Sequence, residues 1–264
     1  MLVADFTNPM FFEVVRGAER AAADRGYTMI LSESQESADR EARTADRVIP
    51  SVDGLILVTT RLRDEQIREL SDRKPLVVIN REVTGVDSIV PRLEPGIGEA
   101  LDLLAAQGHR SMAFLSGPQR AWMSRARWDV LFDGATRRGM RIVEIPSSAP
   151  TIEGGRDAMK RVVASGVTAV VAYNDLIAIG LLQGVQGSGG QVPRDLSIIG
   201  FDDIFGSDFT SPPLTTVMTP LGLMGERAVE VLLDGEGGGA AGEGARPPDS
   251  KLVLRGSVGP ALLG

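Results

Sequence analysis

The sequence predicts an α/β protein of two lobes, each a doubly wound parallel sheet covered by helices on both faces, with a cleft between the lobes. Three observations carry this. Short apolar runs of strand length alternate with stretches of helical periodicity from one end of the chain to the other. Each run is too short for a core helix, and the helical stretch between successive runs is what a crossover between parallel strands requires. About ten such runs are more than one compact sheet usually holds, so the strands divide between two sheets.

In order, Met1 leads into a short apolar strand, and Asn8 caps a helix with Pro9 at its first position. Phe11, Val14, Val15, Ala18, Ala21 and Ala22 then share one face, and Gly26 is the stop. Tyr27–Leu31 reads as a buried strand, followed by a helix carrying Ala38, Ala42, Ala45, Val48 and Ile49 before Pro50. Strands at 54–58 and 76–79 flank a helix containing Ile67 and Leu70. After the midpoint, strands are expected at 112–115, 142–145, 169–172 and 196–201, and helices around 95–107, 122–139, 154–165 and 175–186. Residues 235–250, which begin with a glycine-rich run and contain Pro247-Pro248, read as a mobile surface loop, and 252–254 as a last strand.

Composition excludes several functions. With no cysteine and one histidine, His109, the chain has neither disulfides nor a thiolate or histidine-rich metal site; a carboxylate-only Mg or Ca site stays open on composition, and no metal or cofactor is expected. A net charge of -7 denies these residues the basic stripe of a nucleic-acid surface. No apolar run approaches the roughly 18 residues that cross a bilayer, and no signal peptide is legible, so a cytoplasmic protein is expected. Catalysis finds no support either. Ser116-Gly117-Pro118 is not a nucleophile elbow, and His109, beside Gly108 at a helix end, reads as a capping or surface residue. Gly96-Ile97-Gly98 lacks the third glycine of a dinucleotide fingerprint, and the neighbours Asp202 and Asp203 diverge in direction. The chain reads as a binding protein and not an enzyme.

Ligands of open α/β sheets bind at the carboxyl ends of strands, so the polar residues that follow each apolar run are the candidates. They are Asp5 to Asn8, Thr59 and Thr60, Asn80 and Arg81, Asn174 and Asp175, and Asp202 and Asp203. Any one of them is commonly a helix cap or turn residue, but five sets at corresponding strand ends are harder to assign to local structure alone. Amide, carboxylate and guanidinium groups suit a ligand with many hydroxyls, such as a sugar or polyol. Trp122 is a candidate to face a sugar ring, whereas Trp128 reads as a core residue of its helix.

Several stretches resemble the lactose-repressor and ribose-binding-protein superfamily: Asp5-Phe-Thr-Asn-Pro-Met-Phe-Phe, Val52-Asp-Gly-Leu-Ile-Leu, Gly108-His109-Arg110, Tyr173-Asn174-Asp175-Leu-Ile-Ala-Ile-Gly, and Val192 through Val217. The last, the most specific, is similar to repressors and not to their transport relatives. The resemblance implies a type I periplasmic-binding-protein fold, with one dimerising lobe formed by 1–90 plus 219–248 and the other by 91–218 plus 249–264. It also implies that Asn8, Met10, Phe11, Asn80, Arg81, Trp122, Arg127, Asn174, Asp202 and Thr219 bind a small-molecule effector in the cleft. The implied function is the effector-sensing domain of a homodimeric transcriptional regulator. Operator DNA would be bound through an N-terminal helix-turn-helix that these residues do not include. The alternative is the solute-binding receptor of a sugar transporter. Some positions depart from the family: Met10 stands where an aromatic is usual, Asn80 where aspartate is common, Pro150 where a stacking aromatic often sits, and Arg92-Leu93 replaces the usual Asp-Asn. Replacing Asp202 by alanine is expected to abolish binding with little effect on melting.

Overall fold

A computed structural model describes residues 1–234 and 247–262. The chain divides into two compact units, Met1–Arg92 with Pro220–Pro248, and Leu93–Thr219 with Asp249–Gly264.

In unit 1 five parallel strands lie in the order β2-β1-β3-β4-β5: β1 (Leu2–Val3), β2 (Ser32–Glu33), β3 (Leu55–Val58), β4 (Leu76–Ile79) and β5 (Asp87–Ile89). Every residue of β3 and β4 is buried, as expected of parallel strands covered on both faces. One face carries Leu55, Leu57 and Val78 into a cluster with Ala45, Ile49, Ile67 and Leu70 from helices α2 (Ala38–Val48) and α3 (Asp64–Ser71) and the turn after α2. Helices α1 (Met10–Ala23) and α8 (Leu221–Asp234) pack together, with α8 also against β3, β4 and β5. Glycine permits that approach: a Cβ on Gly225 would lie 2.1 Å from the Val14 carbonyl oxygen.

In unit 2 the sheet order is β11-β10-β9-β8-β6-β7. The parallel strands are β6 (Ser111–Ser116), β7 (Arg141–Pro146), β8 (Ala169–Ala172), β9 (Ser197–Asp202) and β10 (Thr215–Met218), and β11 (Lys251–Val253) runs antiparallel at the edge. Their connections are α4 (Glu94–Ala106), α5 (Trp122–Arg137), α6 (Ile152–Ala164) and α7 (Asp175–Gly187). Trp128, read from its helical spacing as a core residue, is half-buried and packs on the buried Phe114 and the exposed Phe132.

Two expectations are corrected. Tyr27–Leu31 is not a buried strand: Tyr27, Ile30 and Leu31 are exposed, and the strand is the pair Ser32–Glu33 just beyond. The segment lies at the sheet edge, where no further strand covers its apolar side chains. His109 is not a surface residue but 1% exposed. Its Nδ1 lies 2.8 Å from Thr168 Oγ1, and its Nε2 3.1 Å from both Ser197 Oγ and the Gly259 carbonyl, so it ties the start of β6 to the start of β9 and the C-terminal segment. Burial lowers its pKa, which favours the neutral imidazole. Of the predicted glycine-rich loop, 235–246 lie outside the described residues. Strands β5 and β10 and helix α8 were not among the elements expected from periodicity.

Candidate functional site

The polar residues cluster at the carboxyl ends of the strands in both units. In unit 1, β1 runs into Asp5–Asn8, where the Asn8 side chain accepts a hydrogen bond from the Met10 backbone N–H at 3.1 Å. That contact starts α1 and places Met10 and Phe11, both buried, in its first turn. At the ends of β3 and β4, Thr59 and Asn80 have φ of 53° and 64°. The left-handed region is unfavourable for a β-branched residue, so Thr59 stores strain. Both side chains are buried, and neither Thr59 Oγ1 nor Asn80 Oδ1 has a hydrogen-bond partner.

Arg81 is turned toward the loop after β3. Its Nη1 donates to the Leu62 carbonyl at 2.5 Å and its Nη2 to Asp64, while Nε has no partner. The same loop is braced from α2 by Glu41, 2% exposed, which accepts from the Arg61 N–H at 2.9 Å. Burial raises the Glu41 pKa, against hydrogen bonds from Thr60 and Arg61 that lower it.

In unit 2, α5 begins at half-buried Trp122 and carries Arg127 one and a half turns on. Arg127 and Asp202 are each 3% exposed and form an ion pair, Nη2 to Oδ1, at 2.6 Å. Arg127 Nη1 donates to the Tyr173 carbonyl, and the guanidinium lies 3.8 Å from the Phe201 ring centroid and 5.0 Å from that of Tyr173. Its Nε, like Thr219 Oγ1 at the end of β10, is buried without a partner. Burial raises the Asp202 pKa, and Arg127 opposes that shift. Asp203 turns away to Arg255 at 2.7 Å, so the two adjacent carboxylates diverge as their spacing predicted.

Asn174 serves local structure. Its Oδ1 caps α7 at Ile177 N–H, 2.9 Å, and its Nδ2 donates to the Pro150 carbonyl at 3.0 Å. Behind it Asp175, fully buried, accepts from Ile204 N–H, Ser207 Oγ and Thr216 Oγ1 at 2.6 to 2.8 Å. Burial pushes its pKa up to about 7, with the charge of Asp202 adding to the rise. Asp175 thus anchors the segment that follows Asp202 and Asp203.

Sequence reasoning did not assign roles to Tyr173 and Phe201, the aromatic seat of Arg127. Both sit at the end of an apolar run, where they read as ordinary strand residues. Among the described residues, Ser197 and His109 touch, but both are sealed at the opposite ends of the strands from the candidate residues. Among the described residues no three His, Cys, Asp or Glu side chains gather to hold a metal ion, and no helix is long and apolar enough to cross a membrane. A separate cavity in unit 1, lined by Met1, Leu2, Tyr27, Asp53, Leu55 and Leu232 among others, includes none of the candidate residues.

Residues 101–258 match the profile of the periplasmic binding protein-like domain. The HTH-type transcriptional repressor CytR of Escherichia coli (strain K12) is 31% identical over 266 residues, spanning 98% of this chain and 78% of the repressor. The chain belongs to the LacI family of transcriptional regulators. Solved members of the family share its fold. A LacI transcriptional regulator from a Rhodococcus species superposes with a TM-score of 0.87 at 27% identity, covering 98% of each chain. A LacI family regulator from Enterococcus faecium, solved with bound ribose, gives 0.85 at 25% identity, covering 98% of this chain and 97% of that one. The chain is therefore a ligand-sensing regulatory domain of this family, and its relatives are repressors and not enzymes.

Proposed function

We propose that this domain senses a small polyhydroxyl effector, a sugar or sugar derivative, held by Asn8, Met10, Phe11, Asn80, Arg81, Trp122, Arg127, Asn174, Asp202 and Thr219. One observation carries the reading. The buried side-chain atoms without a hydrogen-bond partner among the described residues are Thr59 Oγ1, Asn80 Oδ1, Arg81 Nε, Arg127 Nε and Thr219 Oγ1. Four belong to residues that follow strands, the fifth, Arg127, reaches the end of β9 from α5, and four of the five residues are ones expected to bind. A buried polar atom left unpaired costs roughly 1–3 kcal/mol, so five of them point to a partner that arrives from outside. Two are donors only, one is an acceptor and two are hydroxyls. A ligand whose groups both donate and accept, as hydroxyls do, satisfies them all. Asn174 holds the wall of this site more than the ligand, and Thr59 joins the binding set.

The domain acts as a homodimer in the cytoplasm whose operator affinity changes with effector binding, DNA being gripped by a helix-turn-helix outside these residues. The effector changes that affinity only by binding one arrangement of the protein better than another.

The test is a thermal-shift screen of sugars and polyols, in which a ligand at about 100 times its Kd adds about 2.7 kcal/mol of stability. Thr219→Val distinguishes a ligand contact from a structural one. Removing an unpartnered buried hydroxyl leaves the free protein as stable as before or slightly more so, whereas the ligand-induced shift shrinks. A variant that melts lower alone but responds to the ligand as before would remove Thr219 from the site.

A further inference from the structure

Arginine recognises phosphate by presenting two parallel N–H groups and an uncompensated charge. Neither candidate arginine has these to give. Arg127 spends Nη1 on the Tyr173 carbonyl and Nη2 on Asp202, its plane stacked on Phe201, and its charge is cancelled by a carboxylate as buried as itself. Arg81 spends Nη1 on the Leu62 carbonyl and Nη2 on Asp64. In each, Nε is the one nitrogen with no partner, while each Nη already has at least one N–H engaged. The remaining donors of a neutralised guanidinium suit hydroxyls or a ring oxygen and are a poor match for a dianionic phosphate.

Other sources of positive potential are weak or occupied. Arg120, in the turn after β6, and Lys251, opposite Met218 at the end of β10, are solvent-exposed, where attraction for an anion is screened. The amino ends of α1 and α7 are taken by the side chains of Asn8 and Asn174. That of α5 has no side-chain cap, but a helix end carries only about half a charge. Asp5 adds negative charge at these strand ends, and the charges of Asp203 and Arg255 offset each other.

We propose that the effector is electrically neutral, and that the site rejects the phosphate monoester of the same compound because both of its arginines are already neutralised and their forks engaged. This rests on the reading that these residues bind one small polyhydroxyl ligand. A monoester carries nearly two negative charges at neutral pH, which here would be desolvated beside carboxylates with no buried, unpaired cation among the described strand-end residues to meet them.

The experiment is calorimetric titration of the domain with matched pairs: ribose and ribose 5-phosphate, glucose and glucose 6-phosphate, adenosine and its 5′-monophosphate. In a pair whose neutral member binds, the phosphorylated member is expected to bind at least about 100-fold more weakly, like-charge juxtaposition costing several kcal/mol. A monoester that binds as tightly as its neutral partner overturns this inference and leaves the effector site standing. Silence from every compound, phosphorylated or not, removes the effector reading and this inference with it. Asp64→Asn supplies the positive control. Asp64 is the first residue of α3 and its side chain is 45% exposed, so the fold tolerates the change, while Arg81 regains an uncompensated charge. The variant is expected to narrow the gap between the members of a pair by about tenfold, one 1.4 kcal/mol step. An unchanged gap would show that the pairing of Arg81 does not set the preference.

Discussion

The Arg127–Asp202 pair concentrates the electrostatics of unit 2 in two side chains, each 3% exposed. A pair buried this deeply adds little net stability when intact, because desolvation offsets attraction, but removing one member strands a charge. The composition of the strand ends had suggested that Asp202→Ala would remove binding and leave melting unchanged. The structure changes that expectation. Alanine leaves the Arg127 guanidinium buried with only the Tyr173 carbonyl and two aromatic faces as partners, so the variant is expected to lose about 3–5 kcal/mol in urea unfolding as well as its ligand response. Unfolding that coincides with the parent protein would mean that the pair is solvated in solution. The residue types of this site were legible because Asn, Asp and Arg after apolar runs are few. Their partners were not, since Arg127 and Asp202 are 75 positions apart and neither sequence neighbourhood announces the other.

At the scale of elements, helix crossings in both units are set by glycines that let backbones meet. In unit 2 a Cβ on Gly180 would lie 1.9 Å from the Ile152 carbonyl oxygen, while one on Gly187, the last residue of the same helix, meets nothing within 4 Å. Gly180→Ala is therefore expected to force α6 and α7 apart and destabilise by about 1–3 kcal/mol, the range for overpacking. Gly187→Ala should be neutral or stabilising by a few tenths, because alanine restricts the unfolded chain. Chemical denaturation of the two variants side by side checks the contrast, and equal effects would refute the packing argument. Periodicity found the long helices and the interior strands because each of those buries a face. It failed where burial is one-sided or the element brief. The run Tyr-Thr-Met-Ile-Leu at 27–31 has strand composition but lies exposed at an edge, and the three residues of β5, Asp-Ser-Ile, carry too little apolar signal to be seen. Helix α8 (Leu221–Asp234) was also missed, since its 3.6-residue period was not read from the sequence.

For the molecule as a whole, the division into two α/β units was legible because about ten strand-length runs cannot share one small sheet. The association of one chain with another leaves a fainter trace. Unit 1 ends its sheet with a strand of two residues, and beside it Tyr27, Ile30 and Leu31 are 44%, 52% and 40% exposed. Proteins seldom leave an edge and an apolar cluster open together, because the combination invites pairing with another chain. Such a surface suits the face on which two copies of a regulator meet, and a dimer formed through unit 1 would cover apolar residues that folding alone leaves in water. The chain is accordingly expected to sediment as a dimer. Ile30→Asp, which places a charge in the middle of that surface without touching a strand-end residue, should yield monomers that melt cooperatively and still respond to the effector. If Ile30→Asp remains dimeric, the copies meet elsewhere. If it becomes monomeric and also loses its response, ligand binding and association are coupled.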